Sequence, residues 1–276
     1  MRNDARRQRL HDEQTPGRPL SDEQTPERPL RDEQVLWRDL PAALGSARRI
    51  DRVELKVMLP NRYAARLLAA LAPAQTYRRR VYYLDTPELR LYRHGLVLRA
   101  RRTDGRRGDL ALKLRGSRAP SLSARRLQPR HLHVELDALP DSVLWSLSVT
   151  QLGRWSALRR VIDQDRQWRR VLTAGQRALL DRTLGAPPKT VQSFGPVLAA
   201  RYSGGGTPFA LELWRYPDRS RLLELSVKCR PACAARRSDQ LSALLRELDI
   251  TVPAVQTTKT ARTLAYPCPR RLKRLE

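Results

Sequence analysis

Charged and apolar residues alternate along many short stretches of this chain, and this alternation constrains the fold more than any other feature. The stretch at 52–59 reads Arg-Val-Glu-Leu-Lys-Val-Met-Leu. A period of two gives a β-strand one apolar face and one charged face. About eight strands with short turns between them predict a sandwich or a barrel. The other stretches are 81–85, 96–101, 110–115, 131–137, 197–202, 209–215 and 222–229.

The charged faces of these strands have two interpretations. An ordinary sandwich places them outside, in solvent, whereas a barrel can turn them inward around a water-filled channel. Periodicity alone does not separate the two. Helical spacing at 61–72 and 238–248 adds two amphipathic helices, so the expected class is α+β.

Positive charge dominates the composition. The chain has 54 basic and 28 acidic residues, a formal net charge of +26, and all but six of the basic residues are arginines. Arginine binds phosphate oxygens in pairs through its planar guanidinium. The excess indicates a polyanionic partner such as nucleic acid, polyphosphate, a nucleotide or an anionic membrane surface. Arginine-biased coding composition explains the surface arginines equally well.

A ten-residue repeat occupies 11–40, in the copies HDEQTPGRPL, SDEQTPERPL and RDEQVLWRDL. These units are too polar to bury enough surface to offset chain entropy. We therefore predict a disordered tail at 1–45, a folded domain at 46–266 and a basic tail at 267–276.

Residues 141–190 hold leucines and tryptophans at helical spacing and predict a helical insert. We expect Trp145, Trp155 and Trp168 to pack it on the outside of the domain, with contact to another protein as the alternative.

The cysteines and the hydropathy pattern exclude several classes. Cys229, Cys233 and Cys268 fit neither a zinc motif nor a disulfide framework. No apolar stretch approaches membrane-spanning length, and the charged N-terminus lacks the apolar core of a secretory signal. We expect a cytoplasmic protein.

Residues 82–101, YYLDTPELRLYRHGLVLRAR, resemble the signature of the CYTH, or triphosphate tunnel metalloenzyme, family. Four flanking segments resemble further family motifs: 52–56, 111–115, 223–228 and 258–262. The stretch from 212 to 262 is similar to a bacterial CYTH branch of undefined activity. The resemblance spans roughly 50–265.

The resemblance implies an eight-stranded antiparallel closed β-tunnel with flanking helices. Basic side chains inside such a tunnel bind a triphosphate or a longer polyphosphate, and carboxylates hold Mg²⁺ or Mn²⁺. Family members include inorganic triphosphatases, thiamine triphosphatases, RNA triphosphatases and class IV adenylate cyclases.

Cations at family positions on the alternating strands form the predicted phosphate cradle, the alternative being a solvated charged face. Several cations converging from different strands can neutralise a string of phosphates. The candidates are Lys56, Arg99, Arg101, Lys113, Arg201, Lys228 and Lys259, with Arg52, Arg115 and Arg262 as further candidates.

The carboxylate set departs from the family pattern in two places. Arg52 stands where the opening motif has its first glutamate, and Ser226 stands where a second late carboxylate is expected. The remaining acids can hold Mg²⁺ with help from phosphate oxygens and water, or they simply pair with tunnel arginines. The metal candidates are Glu54, Glu135, Glu212 and Glu224, with Asp137 in support, and the catalytic candidates are Glu54 and Glu224.

Three other features carry weaker functional interpretations. His131 and His133 share a strand face with Glu135, but one strand supplies only part of a transition-metal shell, so a mixed polar strand is favoured. Asp85 is expected to cap its turn rather than act in catalysis. For Tyr82, Tyr83 and Trp214, core packing is favoured over stacking on a base.

The leading functional prediction is a metal-dependent phosphohydrolase acting on tripolyphosphate, polyphosphate or an organic triphosphate. The alternatives are a non-catalytic polyphosphate or nucleotide binder and, less favoured, a class IV-type adenylate cyclase. Nucleic-acid binding through the basic exterior is compatible with each of them.

Overall fold

The computed structural model describes residues 27–28, 36–45, 50–105, 107–118, 132–163 and 167–266. The eleven strands are β1 Glu27–Arg28, β2 Arg52–Leu59, β3 Gln75–Asp85, β4 Leu96–Thr103, β5 Arg107–Gly116, β6 Leu132–Ala138, β7 Val143–Arg154, β8 Gln192–Ser203, β9 Phe209–Arg215, β10 Arg221–Cys229 and β11 Val252–Pro253 within these ranges. The α-helices of the same ranges are α1 Leu40–Gly45, α2 Ala64–Leu71, α3 Arg90–Arg93, α4 Trp155–Leu158, α5 Arg160–Asp163, α6 Ala174–Leu184, α7 Ala234–Glu247 and α8 Lys259–Thr263.

Within the described chain, nine strands close into a barrel in the order β10-β2-β6-β7-β5-β4-β3-β8-β9. The predicted closed barrel is therefore present, but the predicted number of eight strands and their fully antiparallel pairing are wrong. Strands β2 and β6 run parallel, with Arg52 opposite Glu135 and Glu54 opposite Asp137. The other barrel pairs are antiparallel.

The barrel strand that the sequence analysis missed is β7, which lies in the first part of the predicted helical insert. Its apolar positions Leu147 and Val149 face the outer core, and its inner positions are Ser146 and Ser148. The inner face thus carries small hydroxyls instead of charges, so the charged alternation that marks the other strands is absent here. The helical part of the insert begins at Trp155.

The apolar faces of the barrel strands point outward and pack under the helices. Leu55 and Val57 of β2 are fully buried, and so are Leu241 and Leu245 of α7. Trp155 stacks on Tyr82 with ring centroids 5.9 Å apart, and Trp168 is fully buried. The helical segment therefore packs on the outside of the barrel, as expected.

The predicted disordered tail of 1–45 is wrong at its C-terminal end. Trp37 is 2 % exposed, and its indole N–H donates to the Ala138 carbonyl at 3.0 Å. Leu40 of α1 is also buried. The reason is visible in the third repeat copy, where Val-Leu-Trp replaces the Thr-Pro-Gly and Thr-Pro-Glu of the first two. Apart from β1, which pairs with β11, residues 1–35 lie outside the described residues, as do His131, Cys268 and the predicted tail at 267–276.

The inner face of the barrel has two zones. Apolar residues fill one end, among them Met58, Val81 and Trp214, together with Leu264 just after α8. Charged side chains occupy the rest of the interior. In the described part of the chain, no helix is long and apolar enough to cross a membrane.

Candidate active site: the charged interior of the barrel

Strand register brings the predicted site residues together on the inner face. Glu224 lies opposite Glu212, and Lys228 lies opposite Glu54. Ser226, which occupies the expected position of a carboxylate, lies opposite Lys56 and is buried. Because alternate residues share a face, the charged positions of neighbouring strands meet inside the barrel.

Lys259 links Glu212 and Glu224 among these inner charged side chains, which we call the charged layer. Its Nζ lies 2.7 Å from Glu224 Oε1 and 2.9 Å from Glu212 Oε2, and 5.1 Å from the Trp214 ring centroid. Burial opposes the lysine charge, but Glu212 and Glu224 outweigh it and raise the pKa of Lys259. Burial raises the pKa of Glu224, and the charge of Glu212 adds to the rise despite Lys259.

Glu212 is the most heavily paired acid of the layer. Arg79 and Arg201 approach its Oε1 at 2.7 and 3.1 Å. Burial alone would raise a carboxyl pKa, but Lys259 and Arg79 outweigh it and hold the pKa of Glu212 well below its usual range. Glu212 is therefore a stable anion that fixes two arginines of the barrel strands and Lys259 of α8.

A second cluster surrounds Glu135. Lys113 Nζ lies 2.9 Å from its Oε2, and Lys228 Nζ lies 3.4 Å from its Oε1. Burial opposes ionisation, yet these two lysines outweigh it and lower the pKa of Glu135 to about 2. Lys228 also approaches Glu54 at 3.7 Å, which connects this cluster to β2.

Asp137 is the last of the predicted inner acids and was only a supporting candidate in the sequence. Lys56 Nζ lies 3.2 Å from Asp137 Oδ1 and 3.7 Å from Glu54 Oε2. Burial would raise the pKa of Asp137, but Lys56 and Lys113 outweigh it and hold the pKa well below its usual range. Lys56 thus bridges Glu54 and Asp137, which are direct neighbours across the parallel pair.

Two further residues of the layer were missed by the sequence analysis. Asp109 accepts from Arg99 Nη2 at 3.0 Å and from Arg101 Nε at 2.6 Å. Burial, with the charge of Arg99 adding to it, lowers the pKa of Arg101 to about 10. Arg79, the other missed residue, lies in a run of three arginines where no charged–apolar alternation marks an inner face.

The three further phosphate candidates are less central. Arg52 is exposed at the start of β2. Arg115 Nη1 lies 3.5 Å from Thr260 Oγ1 of α8. Arg262 donates to the Arg221 carbonyl at 3.4 Å and stacks over Tyr216.

The remaining candidates have structural environments. Asp85 accepts hydrogen bonds from the backbone N–H groups of Thr86, Leu91 and Tyr92, so it fixes the turn into α3. Tyr82 faces the outer core and Tyr83 the inner one. His133 is half-buried opposite Ser148.

Exposure differs between the two signs of charge. The Lys228 side chain is 41 % exposed, whereas that of Glu224 is 1 % exposed. Arg99, Arg101 and Arg201 are also partly exposed, while Asp109, Asp137 and Glu212 are buried. The interior therefore presents Lys228, Arg99, Arg101 and Arg201 to an entering molecule, whereas Lys56 is buried like most of the carboxylates.

The predicted metal set does not form a ready cation site. Among the described residues, no group of three or more His, Cys, Asp or Glu side chains is placed to hold a metal ion. Lysines approach all four candidate acids, and Glu212 is paired with three cations. The buried Glu224 Oε2 has no hydrogen-bond partner among the described residues, but one such oxygen is not a metal site.

No family model matches the chain, and no curated protein does. Solved structures do. The proposed adenylyl cyclase HpAC1 from Hippeastrum, for which a dominant triphosphatase activity is described, has a TM-score of 0.58 at 18 % identity, covering 78 % of this chain and 96 % of its own. A proposed adenylate cyclase from Bacillus halodurans has a TM-score of 0.53 at 16 % identity, covering 77 % of this chain and 97 % of its own. These similarities establish the fold, which is a CYTH-like closed barrel with flanking helices.

Proposed function

We propose that this protein binds a triphosphate or polyphosphate inside the barrel and hydrolyses its terminal phosphoanhydride bond. The observation that carries the proposal is the layer of partly exposed cations that converge from different strands in front of buried carboxylates. The triphosphatase activity described for the Hippeastrum protein of similar fold supports it.

The chain's own residues would perform two tasks. The accessible cations would neutralise the phosphate oxygens and hold the bound phosphate chain in place; they are Lys228, Arg99, Arg101 and Arg201. Positioning and charge neutralisation are most of what phosphoryl transfer requires. Glu224 would accept the proton of the attacking water. Water then forms the new bond to the terminal phosphorus, and the bridging oxygen leaves with the shortened phosphate chain. Burial and the raised pKa of Glu224 suit it to this role, and Glu54 is the second proposed catalytic carboxylate.

Mg²⁺ or Mn²⁺ stays part of the proposal as a cofactor that arrives with the substrate. Mg²⁺ needs only one or two carboxylates when phosphate oxygens and water complete its shell. The described acids form no metal cage on their own, so the metal would be held mainly by phosphate oxygens and water, and we expect EDTA to suppress turnover.

Phosphate release from tripolyphosphate, ATP and thiamine triphosphate tests the proposal, with Mg²⁺ or Mn²⁺ present and with EDTA in parallel. We expect release by the native protein and a large loss in the Glu224→Gln variant. Release no greater than that of Glu224→Gln on every substrate would overturn the assignment. Formation of cyclic AMP from ATP would instead support the cyclase alternative, which is the assignment proposed for the Bacillus halodurans protein of similar fold.

A non-catalytic binder is the second candidate, because each predicted metal acid is already near a cation of the protein. Lys56 and Lys228 both lie 3.7 Å from Glu54, for example. Tight tripolyphosphate binding that survives EDTA, without turnover, would favour this candidate. Cytoplasmic location, bacterial origin and nucleic-acid binding stay predictions.

A further inference from the structure

A row of arginines crosses the outer face of the barrel, on the other side of the wall from the charged inner side chains. Strand register places Arg221 beside Arg215 and Arg80 beside Arg102. Leu198 lies between the two pairs, opposite both Arg215 and Arg80. Five neighbouring positions on five neighbouring strands therefore carry four guanidinium groups. We call these four arginines the outer arginine row.

The row lies on a part of the barrel wall where the outer face is accessible. Leu198, in its middle, is 37 % exposed, unlike the buried outer leucines beneath the helices. The row borders a groove of about 600 Å³ that Arg78, Asp104 and Leu213 also line. Asp104 is the one acid among the described residues of this lining, and its Oδ2 already accepts from the Arg78 backbone N–H at 2.9 Å.

The spacing of the row suits a chain of phosphates. Neighbouring strands lie roughly 4.8 Å apart, so the four steps of the row span about 19 Å. Each guanidinium can bind two phosphate oxygens. A tripolyphosphate already held inside the barrel cannot also reach this face, because the barrel wall separates the two. A longer anion can.

The groove leads toward a rim that joins the outer row to the inner layer. Arg101 and Arg102 are successive residues of β4, so one faces inward and the other outward. The turn after β4 contains Asp104 and Gly105, and both line the groove. Gln75 pairs with Ser203 at the same end of the barrel. A chain that crosses this rim would meet outer cations on one side and Arg101 and Arg201 on the other.

We propose that the outer arginine row is a second binding site for long-chain inorganic polyphosphate, whose end enters the barrel while the rest lies along the groove. This inference rests on the proposed function in assigning the end of the polyphosphate to the barrel, and it adds a second site on the outer face for the rest of a long polyphosphate.

Inorganic polyphosphate fits this face better than nucleic acid does. None of the described residues that line the groove is aromatic, so single-stranded bases find no stacking platform. A duplex is a wide, stiff cylinder whose phosphates lie on two separate strands, so it matches a single row of arginines less closely. A polyphosphate chain is thin, has no bases and presents charge along its whole length.

Binding of labelled long-chain polyphosphate in EDTA, where turnover is suppressed, tests the site. The test variant is Arg215→Gln/Arg221→Gln, and the matched control is Arg236→Gln/Arg246→Gln, which removes the same charge from exposed positions of α7. We expect the test variant to bind long polyphosphate about tenfold more weakly. The slope of log affinity against log salt concentration should become shallower by about two, because two fewer counterions are released. Tripolyphosphate affinity should be unchanged in both variants.

Three outcomes would overturn the site: equal loss in the test and control variants, a parallel loss of tripolyphosphate affinity, or tighter row-dependent binding of duplex DNA than of polyphosphate. The last outcome would assign the row to nucleic acid. Because binding is measured without turnover, a protein that hydrolyses no triphosphate can still show row-dependent polyphosphate binding. Failure of the proposed function and failure of the outer site are thus separate results.

Discussion

Lys259 Nζ lies 2.7 Å from Glu224 Oε1 and 2.9 Å from Glu212 Oε2, so one lysine neutralises two carboxylates that face each other across β9 and β10. The lysine comes from α8, beyond the last barrel strand. It therefore ties the C-terminal helix to the charged layer, and this contact leads to the first prediction.

Replacing Lys259 by methionine should destabilise the protein by about 3 kcal/mol, because it leaves two buried carboxylates without their shared cation. Urea denaturation at neutral pH measures the loss. The double variant Lys259→Met/Glu224→Gln should recover part of it, since one of the two repelling charges is then removed. Equal stability of Lys259→Met and the native protein would contradict the role assigned to this lysine.

The low pKa of Glu135 makes its contribution to stability depend on pH. The folded pKa is about 2, below the ordinary glutamate value of 4.5. A depressed carboxyl pKa stabilises the folded state above the unfolded pKa, and the contribution is lost as the pH falls through the folded pKa. The shift corresponds to about 3 kcal/mol at neutral pH.

We therefore expect Glu135→Gln to be clearly less stable than the native protein at pH 7. The difference should shrink steadily between about pH 4.5 and pH 2. Denaturation series at several pH values measure it, with Glu247→Gln, at an exposed position of α7, as the matched control. A stability difference between the native protein and Glu135→Gln that grows as the pH falls would contradict the lowered pKa of Glu135.

Asp109 competes with an entering anion for Arg99 and Arg101, which it contacts at 3.0 and 2.6 Å. Asp109→Asn should therefore tighten tripolyphosphate binding by roughly tenfold, equivalent to about 1.4 kcal/mol, while lowering stability. Isothermal titration calorimetry measures the affinity. Asp181→Asn, which disrupts an ion pair with Arg169 outside the barrel, should leave the affinity unchanged. Weaker binding in Asp109→Asn would show that Asp109 holds the arginines in their binding position.

Trp37 anchors the segment before the barrel, so Trp37→Ala should cost about 3–5 kcal/mol. Trp37→Phe should cost less, since it keeps a ring in the cavity and loses the hydrogen bond to the Ala138 carbonyl. Thermal or chemical unfolding ranks the two variants. A negligible effect of Trp37→Ala would restore the prediction that the entire 1–45 segment lies outside the folded domain.

Part of the charged layer could be found in the sequence because alternation marks inner faces directly. Lys56, Arg99, Lys113 and Glu224 all lie on strands where charged and apolar residues alternate, and all of them contribute to the interior. Asp109 and Arg79 were missed because their neighbours, a glycine and two arginines, break that alternation.

The alternation of the chain by itself determined that charged and apolar faces would separate on β-strands, and the 82–101 signature indicated that those strands close into a barrel. Only the tertiary structure decided that β7 joins the barrel, that β2 runs parallel to β6 and that Lys259 reaches both Glu212 and Glu224. The physical reason is that periodicity is a local property, whereas strand pairing and ion pairing join residues far apart in the chain. Glu212 and Arg79, separated by 133 positions, meet because the barrel closes.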